Sequence, residues 1–360
     1  MKVKLGDVCE RGTSNLRQSD VVGKGGDYPI YGASGYIGDV DFYHQEKSYV
    51  AIVKDGAGIG RTMLCPEKSS VIGTMQYLLP KDAILPQYLY YVVKYMHLEK
   101  YFSGATIPHI YFKDYKNEQF NLDTLKKQAI IVKILGKCEE VIAARNKQLN
   151  ALDELIQARF VEMFGDPVAN PMGWDTDTCK NLTSKIGSGA TPKGGRESYG
   201  TEGISLIRSM NVYNNRFEYK DLAHITDEQA EKLDNVTIKE NDVLLNITGA
   251  SVARCCKVPK DLLPARVNQH VSIIRCKERL LPEFVACMFT EDNYQRLLWN
   301  IATAGGATRE AITKQQIEDL VLIVPPVEKQ QEFMNFAHQV NKSKLVIKNL
   351  LQIYKHQIQM

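Results

Sequence analysis

LKKQAIIVKILGKCEEVIAARNKQLNALDELIQARFVEM, running from Leu125 to Met163, is the stretch that decides the fold. Within it Ile131, Leu135, Cys138, Ile142, Arg145, Leu149, Leu152, Ile156, Arg159 and Met163 follow alternating steps of four and three, and no Pro interrupts them. A seven-residue period sustained this long predicts one long helix with an apolar seam for another helix. The partner stands at the other end of the chain, where Phe333, Ala337, Val340, Lys344, Ile347, Leu351, Tyr354 and Ile358 repeat the spacing 202 residues later. The seam is therefore expected to join Ile131, Leu135, Ile142, Leu149, Leu152 and Ile156 to Phe333, Val340, Ile347, Leu351 and Tyr354.

The repetition reaches well beyond the rods. Ser103-Gly-Ala-Thr106 matches Gly305-Gly-Ala-Thr308, and Leu125-Lys-Lys-Gln128 matches Val327-Glu-Lys-Gln330, at the same offset. Upstream, Ser48 to Val53 leads to Gly56-Ala57 and Arg61, while Asn241 to Asn246 leads to Gly249-Ala250 and Arg254. Leu85-Pro86 is answered by Leu281-Pro282. A period of this length is a duplicated domain plus rod, not the short-period stacking of a solenoid.

These signals divide the chain into a strand-rich mixed domain over 1–124, a long helix over 125–164, a second mixed domain over 165–325 and a second long helix over 326–360. The first rod must stop near Phe164, because Gly165, Pro167, Pro171 and Gly173 follow it. Single helices are expected from Gln87 to about Tyr101 and from Pro282 to about Trp299. Tyr88, Tyr91, Tyr95 and Tyr101, at near-helical spacing, are read as a packing face. Thr226 and Gln229 have capping-box spacing and predict a short helix that the first copy lacks.

A length of 360 residues with 44% hydrophobic and 24% charged content suits a two-domain globular chain. None of the eight cysteines forms a Cys-x-x-Cys pair, so reduced thiols in a cytoplasmic protein are expected rather than disulfides or zinc. No apolar run approaches a membrane span, and the seven histidines contain no His-Glu-x-x-His. Gly56-Ala-Gly-Ile-Gly60 looks like a phosphate loop, but Arg61 follows it where a dinucleotide fingerprint needs a spaced glycine. Its counterpart reads Gly249-Ala-Ser-Val-Ala253, so both are read as turns that present a backbone and an arginine. Asn170-Pro-Met-Gly-Trp174 lacks the second proline of an amino-methyltransferase signature and sits in a linker. Neither a metal site nor a catalytic residue is expected on this chain.

Two mixed domains, each followed by a Gly-Ala-Thr approach and a heptad helix, resemble the specificity subunit of a type I DNA restriction-modification enzyme over nearly the whole length. The residues that carry the resemblance best are Asp242-Val-Leu-Leu-Asn-Ile-Thr-Gly249 with Arg254, Gly306-Ala-Thr308 with Ile312, and Val324-Pro-Pro-Val-Glu-Lys-Gln330. The first copy departs from that set, with Pro108-His109 near its Thr and Asn121 to Thr124 in place of the double proline. The resemblance implies an α+β chain with two target-recognition domains whose helices pair as an antiparallel coiled coil. It also implies double-stranded DNA, methyltransferase subunits and a restriction or motor subunit as partners. S-adenosylmethionine, ATP and Mg would be bound by those partners, and no cofactor by this chain.

Reading DNA needs cations for phosphates and forked or amide side chains for base edges, presented on loops held by a scaffold. Near the glycine turns the second copy offers Lys193, Arg196, Arg208, Asn211, Arg254, Asn268, Gln269 and Arg309, with His270 beside them. The first offers Lys24, Lys54, Arg61, Gln76 and His109. Arg61 and Arg254 follow equivalent turns and are the expected shared contact. A competing reading is a coiled-coil adaptor whose duplicated domains bind protein or RNA; it predicts no preference among DNA duplexes.

Overall fold

The computed structural model describes residues 1–359 except Val22, Ala57, Ala105, Thr106, Lys193 and 305–309, and only the backbone of Arg196 and 355–359. The first repeat runs β1 (Lys2–Lys4), α1 (Leu5–Val8), β2 (Cys9–Thr13), α2 (Gln18–Val21), β3 (Tyr28–Gly32), β4 (Gly35–Val40) and β5 (Tyr49–Val53). It continues through β6 (Thr62–Cys65), β7 (Ser70–Val71), β8 (Met75–Pro80), α3 (Pro86–Tyr95), α4 (Phe112–Tyr115), β9 (Gln119–Asn121) and α5 (Leu125–Phe164). The second runs β10 (Thr176–Thr178), α6 (Cys179–Leu182), β11 (Thr183–Ser188), β12 (Ile204–Ile207), β13 (Val212–Tyr213), β14 (Arg216–Phe217), β15 (Ala223–Ile225) and α7 (Asp227–Glu231). After these come β16 (Val243–Asn246), β17 (Cys255–Lys257), β18 (Ala265–Val267), β19 (Val271–Cys276), α8 (Pro282–Phe289), α9 (Asp292–Thr303), α10 (Lys314–Glu318), β20 (Val321–Ile323) and α11 (Val327–Gln359).

Both copies share one topology. The first has a sheet in the order β2-β8-β5-β6, the second β11-β19-β16-β17. A further sheet, β4-β3-β7 or β15-β12-β18, pairs its middle strand parallel to the last. The pairs β1–β9 and β10–β20 lead into the long helices. The second copy adds the hairpin β13–β14 and the helix α7, whose Thr226 and Gln229 form the expected capping box.

The central strands explain why the sheets are buried on both faces. Every residue of β5 is buried; Val50 and Ile52 pack with Leu78, Leu89 and Val93, while Tyr49, Ala51 and Val53 face Ile30, Val71 and Met75. β16 repeats this, with Val243 and Leu245 on the side of Phe284 and Leu244 on the side of Leu206 and Val267. A strand's period of two sends neighbours to opposite faces, so a near-continuous apolar run marks the middle of the domain. Pro86 and Pro282 open α3 and α8 at the first helical position, where a missing N–H costs nothing.

By compactness the chain forms two units, Met1–Ala144 together with the last residues from Tyr354, and Arg145–Ile353. In the first unit α3 packs on α5, with Tyr91 Oη donating to Glu139 Oε2 at 2.9 Å and Lys94 Nζ reaching Glu139 Oε1 at 2.7 Å. In the second unit the later part of α5 runs antiparallel to α11: Asp153 pairs with Lys344, Arg159 with Glu332 at 3.7 Å, and the rings of Phe160 and Phe333 lie 5.5 Å apart. Phe164 and Phe284 complete that aromatic cluster.

Three expectations are corrected. The heptad spacing continues through Arg159 and Met163, but near the end of α5 the fully buried residues are Phe160 and Phe164, because that turn faces α8 as well as α11. Val340, Ile347 and Leu351 are buried, whereas Tyr354 is 39% exposed; a straight helix drifts about 20° per heptad off a 3.5-residue seam. The helices after Pro86 and Pro282 are each broken. His97 adopts φ 50° after α3 and a single 3₁₀ turn follows (Leu98–Tyr101). Glu291 caps a fresh helix, its carboxylate accepting from Asn293 N at 2.8 Å and Tyr294 N at 3.2 Å. Tyr88, Tyr91 and Tyr101 are packing residues, the last two bonded to Glu139 and Glu118. Among the described residues no helix is long and apolar enough to cross a membrane.

Candidate nucleic-acid interface

The turns that carry Arg61 and Arg254 are the same structure built twice. Val53 N donates to Arg61 O at 2.9 Å and Asn246 N to Arg254 O at 2.8 Å; Gly60 N returns to Val53 O, and Ala253 N to Asn246 O, both at 2.9 Å. Arg61 N bonds Gly58 O as Arg254 N bonds Ser251 O. Gly56 N and Gly249 N take the carbonyls of Pro108 and Glu310, each at 2.9 Å, and so anchor the turn to the segment after the Gly-Ala-Thr stretch. Gly56 and Gly249 have φ of 89° and 68°, and Gly60 and Ala253 have 79° and 71°. These left-handed positions make the turn tight.

Around each turn lies a histidine, reached from a different direction. His109 Nδ1 meets Asp55 Oδ1 at 2.7 Å, and Lys54 pairs with the other oxygen of that carboxylate. Burial alone would raise the Asp55 carboxyl, but the hydrogen bonds from Lys54 and His109 bring it below the usual range. His270 Nδ1 lies 2.5 Å from Thr248 Oγ1. Asp55 and Thr248 are equivalent, each one residue ahead of the anchored glycine. In their copies, however, His109 follows the Gly-Ala-Thr segment and His270 precedes β19.

The other expected contacts separate into free and committed groups. Lys24 is exposed. Arg208 lies over the Tyr199 ring, 5.3 Å from its centre, and donates to the Asp221 carbonyl, so it braces the fold. Gln76, Asn211 and Asn268 are corrected: they are 2%, 0% and 4% exposed and cannot meet base edges. Gln76 lies inside β8; Asn211 Nδ2 donates to Glu218 O at 2.9 Å; Asn268 Oδ1 accepts from His270 N at 3.0 Å. Asn211 and Asn268 are held by nearby backbone groups, whereas Gln76 Nε2 has no hydrogen-bond partner among the described residues. Lys193 and Arg309 lie outside the described residues, as does the side chain of Arg196.

Two features escaped the sequence. Tyr213 carries both Arg254 and Arg216 over its ring, at 4.5 and 4.6 Å from the ring centre; no periodicity links residues 41 apart. Gln128 and Gln330, matched at the shared offset, are fully buried, and residue order does not show which groups they bond. Burial pushes the thiols of Cys9, Cys65, Cys179, Cys256, Cys276 and Cys287 up to about 12, away from the reactive thiolate. Among the described residues no three His, Cys, Asp or Glu side chains gather as a metal site.

Both helices also expose large apolar side chains outside the seam. On α11 Leu345, Val346, Leu350 and Ile353 are exposed, and on α5 Ile130, Ile134, Leu155 and Val161.

Comparison with known proteins adds a family. The model of the type I restriction modification DNA specificity domain matches residues 1–154 and 171–353. Over 301 residues the chain is 22% identical to the specificity subunit of the type I restriction enzyme MjaVIII of Methanocaldococcus jannaschii, covering 78% of this chain and 69% of that protein. In fold it is similar to the S subunit of a type I restriction-modification system from M. genitalium, with a TM-score of 0.60 at 12% identity, over 99% of this chain and 93% of that one. A chain from a structure of complex assembly and conformational transition of the type I R-M system gives 0.56 at 16% identity, over 100% and 95%.

Proposed function

The chain belongs to the family of type I restriction-modification DNA specificity domains, and from that premise we propose that it reads a split DNA target without catalysing any step itself. Residues 1–124 read one half-site and 165–325 the other, while the helices over 125–164 and 326–360 join the two domains and dock modification subunits. Methyl transfer, and any cleavage by a restriction subunit, belong to those partners.

The observation that carries this reading is the duplicated turn. Each domain offers one arginine, Arg61 or Arg254, from a backbone held by the same hydrogen bonds, and an arginine presented rigidly can bind a phosphate or fork onto a guanine edge. Around these turns the copies differ, with Lys54, Asp55 and His109 in one and Thr248, Gln269 and His270 in the other. A common frame with unlike side chains is what two different half-sites require. Val346, Leu350 and Ile353, exposed on one side of α11 at i, i+4 and i+7, supply a docking face, since large apolar side chains grouped on a surface mark an interaction site.

The test is to assemble the chain with its modification subunits and map the methylated bases. A non-palindromic motif in two parts supports the reading, and a continuous palindrome overturns it.

A further inference from the structure

Arg61 and Arg254 share a backbone turn but not the group that holds the guanidinium. Arg61 Nη1 donates to the Ala33 carbonyl at 2.9 Å. Arg254 instead lies over the Tyr213 ring, 4.5 Å from its centre. Both supports come from one place in the topology. Ala33 belongs to the connection between β3 and β4, and Tyr213 to the connection between β12 and β15, their counterparts. That connection spans residues 33–34 in the first domain and 208–222 in the second.

In the second domain the longer connection is tied to the arginine turn on several sides. Asn246, whose backbone closes the turn with Arg254, donates from Nδ2 to the Ser209 carbonyl at 2.8 Å. Asn215 N bonds Cys255 O at 2.8 Å, and Cys255 N bonds Asn214 Oδ1 at 3.3 Å. Buried Asn211 fixes the start of the hairpin by bonding Glu218 O and the Arg208 N–H. Arg216 also lies over Tyr213, but its charge is paired with Glu218 at 3.0 Å. Among the described residues Arg254 has no carboxylate or carbonyl partner, so the ring orients the guanidinium plane while its donors stay free for an acceptor outside the chain.

We propose that Tyr213 is the positioning residue for Arg254, and that the connection after β3 and β12 sets how each domain's shared arginine meets its half-site. This rests on the reading of Arg254 as a DNA contact. A planar fork discriminates a base edge only when its plane is held. Losing the ring therefore weakens selectivity in one half-site and leaves the other as it was.

The experiment uses the chain assembled with its modification subunits and duplexes in which each base pair of the mapped target is varied singly. Tyr213→Phe keeps the ring and binds as wild type. Tyr213→Leu loses about three- to thirtyfold, the range of a cation–π contact, in one half-site only. Adding Tyr213→Leu to Arg254→Ala then costs nothing further. Arg254→Lys, which leaves the hairpin intact, retains charge but loses base preference at the same positions. Wild-type binding by Arg254→Ala overturns both the DNA reading of that arginine and the inference. Loss in Arg254→Ala with unchanged Tyr213→Leu, a Phe variant as weak as Leu, or equal loss in both half-sites overturns the inference alone.

Discussion

Gln128 and Gln330, 202 residues apart, make the same three hydrogen bonds. Gln128 Oε1 accepts from Leu85 N at 2.8 Å, and its Nε2 donates to Ala83 O at 2.9 Å and Asp123 O at 2.8 Å. Gln330 Oε1 accepts from Leu281 N at 2.8 Å, and its Nε2 donates to Arg279 O at 2.9 Å and Pro325 O at 2.8 Å. Each amide thus ties the first turn of a long helix to the residues before the proline-led helix of its own domain. An amide has two donor hydrogens and an acceptor oxygen, and here all are engaged.

Replacing Gln330 with Ala strands a buried N–H and two carbonyls, so stability should fall by about 2–4 kcal/mol. Gln128→Ala should cost a similar amount in the first unit. Thermal unfolding of both variants checks this; a loss below measurement error in either would mean that water replaces the amide.

The buried Asp242 carboxylate is clasped by Arg275, Nε to Oδ1 at 2.7 Å and Nη2 to Oδ2 at 2.8 Å. Arg275→Ala leaves the charge unpaired inside the domain and should destabilise by about 3–5 kcal/mol. Denaturant titration measures the loss, and an unchanged midpoint would show that the carboxylate does not depend on this partner.

Gly60 and Ala253 hold the same left-handed position, yet a Cβ on Gly60 would lie 2.7 Å from Glu99 N. Gly60→Ala should therefore destabilise by about 1–3 kcal/mol through that clash. Ala253→Gly trades relief of left-handed strain against backbone entropy and should stay within about 1 kcal/mol of wild type. Equal costs in unfolding experiments would contradict the asymmetry.

Ile347 is 6% exposed in the seam, while Val346 beside it is 59% exposed. Ile347→Asp places a charge in an apolar contact and should reduce folded protein. Val346→Asp should leave folding intact and weaken capture of modification subunits. Circular dichroism with a co-purification assay separates the two, and normal assembly by Val346→Asp would remove that residue from the docking face.

Asp55 titrates below the ordinary carboxylate range because the bonds from Lys54 and His109 outweigh its burial. A depressed folded pKa adds stability above the unfolded value of about 3.9, and that stability disappears as pH falls through the folded value. Asp55→Asn should thus lower the melting temperature at neutral pH and converge with wild type toward pH 2. Parallel curves across the acid range would show that the cluster adds nothing to folding.

What the sequence determined by itself was order and period: the duplication, the long helices, the arginine turn and the absence of a catalytic signature. Heptad spacing and glycine placement act along the chain, so the rods and the turns of Arg61 and Arg254 could be read from residue order alone. Tertiary structure decided which polar side chains face outward. Gln76, Asn211 and Asn268 carry the right chemistry for base edges, but the packing around β8 and the β12–β15 and β18–β19 connections buries them. That burial exists only once strands have paired and layers have packed. The same is true of Tyr213, which meets Arg254 through a hairpin inserted between paired strands. It is true as well of His109 and His270, which reach Asp55 and Thr248 from different segments. Contacts across such separations depend on how strands pair, and no local spacing encodes that pairing.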